Sequence, residues 1–123
     1  MERLYRASSK SSPEVDFNPD SGILRLSGQS YPENASAFYL DLFDWLKEYL
    51  PASGKTVVEM SFSYINTSST KCLMDMIYLL EDAFNGGSDI RINWHYTAKN
   101  RGMRECGEEF QEELCVPFTL IPE

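Results

Sequence analysis

Apolar side chains recur along this chain with a period that switches between two and about three and a half, and each switch marks an element. Pro13 to Asn18 is a short extended run. Pro19-Asp20-Ser21-Gly22 follows, with a proline that presets φ and a glycine that accepts positive φ, so a tight turn folds the run against Ile23 to Gly28 as a hairpin. Leu24 and Leu26 share one face of that second strand and Ile23 and Arg25 the other, which predicts a strand covered on one side. Tyr31-Pro32-Glu33-Asn34 breaks it, and Pro32, Glu33 and Asn34 suit a helix start through fixed φ, negative charge and capping ability. The helix runs to about Leu50, with Phe38, Leu42, Trp45, Leu46 and Tyr49 in one stripe, and Pro51 and Gly54 end it.

Thr56 to Ile65 reads as a central strand, Val58, Met60, Phe62 and Tyr64 alternating with Val57, Glu59, Ser61 and Ser63. Leu73, Ile77, Leu80 and Phe84 then predict a helix from about Ser69 to Asn85, stopped by Gly86-Gly87. Ile90 to Tyr96 repeats the strand signal, and Met103, Cys106, Phe110 and Leu114 mark a third helix. Val116 to Ile121 closes the series, Pro117 fitting an edge strand. The order is ββαβαβαβ, and right-handed crossovers make the later strands parallel. The expected fold is therefore a single α/β domain over residues 1–123, a mixed, mostly parallel sheet covered by three helices, with residues 1–12 as a flexible arm.

Charge narrows the partners. Nineteen acidic against eleven basic side chains give a net charge of −8, which repels nucleic acid and anionic membrane surfaces alike. No stretch approaches the ~18 apolar residues of a spanning helix, and Met1 to Ser12 lacks the apolar core of a signal peptide. Cys72, Cys106 and Cys115 are odd in number and without metal-site spacing, so reduced thiols in a cytoplasmic protein are expected.

Candidate chemistry is sparse. His95 has no spacing that joins it to a cysteine, and Cys72 and Cys106 fall near apolar stripes, where a free thiol behaves as a small hydrophobe. Glu105, Glu108, Glu109, Glu112 and Glu113 scatter around a solvated helix face. Gly86-Gly87 follows a helix, whereas phosphate-cradling glycines precede one. No catalytic set, metal or cofactor is expected. What stands out is Asn66-Thr67-Ser68-Ser69-Thr70-Lys71, a hydroxyl run between a buried strand and a helix start. One capping side chain explains one residue of it. A phosphate added there would meet free amides, the positive end of the helix dipole and Lys71. A small enzyme or ligand-binding domain using a cleft near Tyr31, Glu33, Asn66 and His95 is the alternative.

These residues bring a resemblance into view. Ser30 to Asn34 as Ser-Tyr-Pro-Glu-Asn, Trp45-Leu46 with Tyr49-Leu50, Tyr64 to Ser69 with Lys71, and Gly107-Glu108-Glu109-Phe110 before Pro117-Phe118 together resemble the SiaC family of bacterial regulatory phosphoproteins. The resemblance implies a fold like that of STAS-type anti-sigma-factor antagonists and a reversibly phosphorylated threonine corresponding to Thr67, with Ser68 and Ser69 as alternatives. It further implies that the dephospho form binds and activates a diguanylate cyclase, that a cognate kinase and a PP2C-type phosphatase set its state, and that cyclic-di-GMP and biofilm formation follow. The expected partner surface is Tyr31, Pro32, Glu33, Asn34, Asn66, Ser68, Ser69 and Lys71.

Overall fold

In the computed structural model, which describes residues 1–123, six strands form one sheet in the order of the chain. They are β1 (Leu4–Arg6), β2 (Glu14–Asn18), β3 (Ile23–Ser30), β4 (Thr56–Ile65), β5 (Ile90–Tyr96) and β6 (Phe118–Pro122). The first three run antiparallel and β3 to β6 are parallel, joined by α1 (Ala35–Tyr49), α2 (Thr67–Asn85) and α3 (Arg101–Gln111). This is the expected ββαβαβαβ arrangement with one strand added in front.

Register puts like with like across the sheet. Leu24, Val58 and Ile92 stand side by side, as do Leu26, Met60 and Trp94, all buried beneath the helices. One core of 26 buried residues joins them to Tyr39, Leu42 and Leu46 of α1 and to Leu73, Ile77 and Leu80 of α2. The other face carries Asp16, Arg25, Glu59 and Asn93 in a matching row. All three helices thus lie on one side, and the covering expected of them leaves the opposite face bare. A strand sequence that alternates apolar with polar residues buries only one face.

On the covered side Gly107 lets α3 come down onto Trp94: a Cβ there would sit 2.5 Å from the indole Cδ1. The Trp94 indole donates to the Met103 carbonyl at 2.9 Å, so its one polar atom is satisfied inside the core. Beyond α3, the Glu81 carboxylate of α2 accepts the backbone N–H groups of Val116 and Cys115, which lowers its pKa and anchors the approach to β6.

Several boundaries differ from expectation: β3 runs on to Ser30, and β6 starts at Phe118 rather than Val116, which leaves Pro117 ahead of the strand. Residues 1–12 are not a free arm throughout, because Leu4–Arg6 pairs with β2 as the sheet's edge. Arg3 holds Asp16 through two bonds of 2.7 Å, and Trp45 donates its indole N–H to the Glu2 carbonyl at 2.8 Å. Three residues are too few to show a period in sequence. Helix α2 begins at Thr67, two residues early, and α3 ends at Gln111, leaving Leu114 in the turn that Glu113 makes at φ 63°.

Candidate functional site

The parallel strands β3 and β4 end side by side, so the two polar motifs that follow them meet at one end of the sheet. Asn66 donates its backbone N–H to the Ser30 carbonyl at 3.0 Å, and the Tyr31 ring meets Tyr64 edge-on with centroids 5.9 Å apart. Each motif opens a helix with an asparagine. Asn34 accepts the Ala37 amide at 3.1 Å and Asn66 accepts the Ser69 amide at 2.8 Å, so both side chains are occupied as N-caps.

The hydroxyls of the run divide sharply. Thr70 donates its Oγ1 hydrogen to the Asn66 carbonyl at 2.9 Å. Ser69 is fully buried, its Oγ accepting from Ser30 at 2.8 Å, while Ser30 also bonds the Tyr39 hydroxyl at 2.7 Å. Since Ser30 has one proton and gives it to Ser69, the bond from Tyr39 must be donated by Tyr39. Burial pushes the Tyr39 pKa up to about 12, so the phenol stays protonated and the chain of donors holds its direction. Thr67 and Ser68, by contrast, are exposed at the first two helical positions, and their hydroxyls bond nothing in the chain.

Their amides are likewise free. The N–H groups of Ser69 and Thr70 are taken by Asn66, which leaves those of Thr67 and Ser68 pointing out of the helix end. No acidic residue stands in this first turn, and Lys71 is exposed one turn further on, outside every ion pair of the chain. The arrangement suits an added phosphate on either exposed hydroxyl, Thr67 or Ser68: two free amides and the positive end of the helix dipole lie beside both, and Lys71 follows one turn on.

The expected site residues therefore separate. Tyr31, Pro32, Glu33, Ser68 and Lys71 present surface at this end, and Asn34 and Asn66 are committed to capping. Ser69 is a correction: a side chain buried in a closed hydroxyl chain is reachable neither by a kinase nor by a partner. His95 is another. It lies on the bare face of the sheet, bonded to Glu59 and 3.6 Å from the Glu123 carboxylate, in a depression of about 340 Å³ that includes neither Tyr31 nor Asn66. The proposed common cleft does not form. Tyr39 was not expected here at all, and Ser30, quoted only as the first residue of a motif, was not expected to carry a buried hydrogen bond.

Comparison with known proteins agrees with the fold. The model of the family described as SiaC family regulatory phosphoprotein matches residues 6–123. An uncharacterised protein of Pseudomonas aeruginosa strain UCBPP-PA14 is 35% identical over 122 residues, 98% of this chain and 96% of that one. The crystal structure of apo-SiaC from Pseudomonas aeruginosa superposes with a TM-score of 0.91 at 33% identity, covering 98% of this chain and 99% of that one. A chain in the crystal structure of the diguanylate cyclase SiaD in complex with its activator SiaC, from the same organism, gives 0.93 at 32% identity, again covering 98% and 99%. No helix here is long and apolar enough to cross a membrane.

Proposed function

Because this chain belongs to the SiaC family of regulatory phosphoproteins, we propose that it is a non-enzymatic, cytoplasmic partner-switching protein whose state is set by phosphorylation of Thr67. The dephospho form binds and activates a diguanylate cyclase, as the activator in the SiaD complex does for that enzyme. A kinase adds the phosphate and a PP2C-type phosphatase removes it, so that cyclic-di-GMP output and biofilm formation follow the state of one side chain. The observation that carries this reading is the division of hydroxyls at the start of α2. Thr70 and Ser69 have structural bonds, whereas Thr67 and Ser68 stand exposed with hydroxyls and amides free, and of these two the family resemblance points to Thr67. Phosphate there gains donors without displacing any bond of the fold.

The test has two arms. Phosphopeptide mass spectrometry on cells lacking the phosphatase should find the mark on Thr67. Affinity purification should recover a diguanylate cyclase with Thr67→Ala and lose it with Thr67→Asp. Unmodified hydroxyls from Thr67 to Thr70, together with identical co-purifying proteins for both variants, would refute the switch.

A further inference from the structure

Strand β4 carries one residue more than β3 where the two approach the site. Gly28 stands beside Phe62 but Gln29 beside Tyr64, so Ser63 is left without a pair on β3 and β4 is bulged there. Past the bulge the alternation is reset. Tyr64, which would have followed Met60 and Phe62 inward, turns out and is 51% exposed, while Ile65 is buried beside Ser30. The shift sets Asn66, and with it the start of α2, against the fully buried Ser30.

Ser30 then holds the first turn of α2 on both sides of Thr67 and Ser68. Its carbonyl accepts the Asn66 amide at 3.0 Å, and its hydroxyl donates to Ser69 at 2.8 Å. Tyr39 of α1 donates to the same hydroxyl at 2.7 Å and so keeps its proton turned toward Ser69. From Asn66 to Ser69 a helix advances about 4.5 Å, whereas an extended chain advances about 10 Å. Drawing Thr67 out into an extended conformation therefore tears Ser69 from Ser30. Apolar side chains could fill this space without leaving hydroxyls to satisfy. A chain of hydroxyls adds what such packing lacks, a set of bonds that all hold only when the turn is in one place.

We infer, resting on the switch reading above, that the Tyr39–Ser30–Ser69 chain determines where the phosphate goes: it presents Thr67 on a closed helical turn and withholds Ser69. The kinase and the phosphatase then read a folded turn, not an extended segment. In the transfer the Thr67 Oγ1 bonds to the γ-phosphorus of a nucleoside triphosphate and the bond from that phosphorus to the bridging oxygen breaks. The nucleoside diphosphate leaves, and the hydroxyl proton passes to a base of the kinase. Ser69 carries a hydroxyl of the same chemistry two residues on, and helix ends fray, so a loosened turn offers it to the same enzyme. Tyr39 and Ser30 meet neither the nucleotide nor the reacting oxygen. They are positioning residues, acting through the turn they hold.

Full-length variants made in cells lacking the phosphatase, and mapped by phosphopeptide mass spectrometry, test it. Wild type should carry the mark on Thr67 and none on Ser69. Ser30→Ala should lower occupancy of Thr67 about threefold or more and bring a mark onto Ser69. Tyr39→Phe, which keeps the Ser30–Ser69 bond, should do the same more weakly. Ser30→Thr keeps the hydroxyl and should restore the wild-type pattern. Gly107→Ala, which strains α3 against Trp94, should leave the mark in place, which separates the action of the chain from loss of stability. Hydrogen exchange on the purified proteins should show the Ser69 and Thr70 amides opening about tenfold faster in Ser30→Ala and little changed in Gly107→Ala. Thermal melts check that each variant folds, and if Ser30→Ala does not, Tyr39→Phe decides. Wild-type marks and wild-type exchange in the folded variant overturn the inference and leave the switch intact. A wild type unmarked from Thr67 to Thr70 overturns the switch reading with it.

Discussion

The two sides of the sheet hold polar clusters of opposite character. Under the helices, Tyr39, Ser30 and Ser69 are all fully buried and all neutral, three hydroxyls closed into one directed chain. On the bare side the polar groups are charged and part exposed: Arg3 with Asp16, and Glu59 with both His95 and Asn93. Desolvation explains the division, because a buried charge is costly unless fully paired, whereas a hydroxyl needs only one or two bonds to be at home. The covered cluster fixes backbone: it ties the end of β3 to α1 and to the first turn of α2. The bare cluster mainly keeps a solvated face soluble and in register.

Substitutions on the covered side should thus cost most. Gly107→Val drives a branched side chain into Trp94 and Leu120, and should destabilise by about 3 kcal/mol or more in urea unfolding. Even Gly107→Ala should destabilise, reversing the gain of about 1 kcal/mol that a mid-helix glycine-to-alanine change ordinarily brings. Next comes Ser69→Ala, which leaves the Ser30 proton without its acceptor and should cost about 1–3 kcal/mol in the same assay. A smaller effect separates the clusters by pH. The Tyr39 pKa is raised from 10.0 to about 12, so the stability it contributes is complete below pH 10 and lost as pH rises through about 12. Thermal melts across that window should fall less steeply for Tyr39→Phe than for wild type. Smallest of all, His95→Ala on the bare face should cost less than about 1 kcal/mol, because Glu59 keeps Asn93 and water. A loss for His95→Ala equal to that for Ser69→Ala would erase the distinction between the faces.

Most of the architecture was legible because strands with strict alternation and helices with apolar stripes state their period directly. The bare face was legible too, in Glu59, Ser61 and Ser63 opposite Met60 and Phe62, although the expectation stopped at helices covering the sheet. Ser69 could have been assigned inward. It precedes Leu73 by four and Met76 by seven, which continues the buried stripe of α2 back into the hydroxyl run. Treating the run as a set of equivalent hydroxyls hid that. Tyr39 escaped because the stripe was drawn through Phe38, one residue away, and only packing decides which of two adjacent aromatics turns in. No local pattern reveals the Tyr39–Ser30–Ser69 chain, whose end members are thirty residues apart and meet only through the crossover from β3 to β4. The free state of Lys71 is a negative fact about the whole fold and has no signature in sequence.

The indole of Trp45, held on the Glu2 carbonyl, and that of Trp94, sealed against Met103, make the protein its own fluorimeter. Peeling Leu4–Arg6 from the sheet edge would wet the first fluorophore and leave the second dry, adding a red-shifted emission without dimming the blue one. Both shifting together would mark global melting. Edge fraying and full denaturation are thereby distinguishable by light alone, with no label attached.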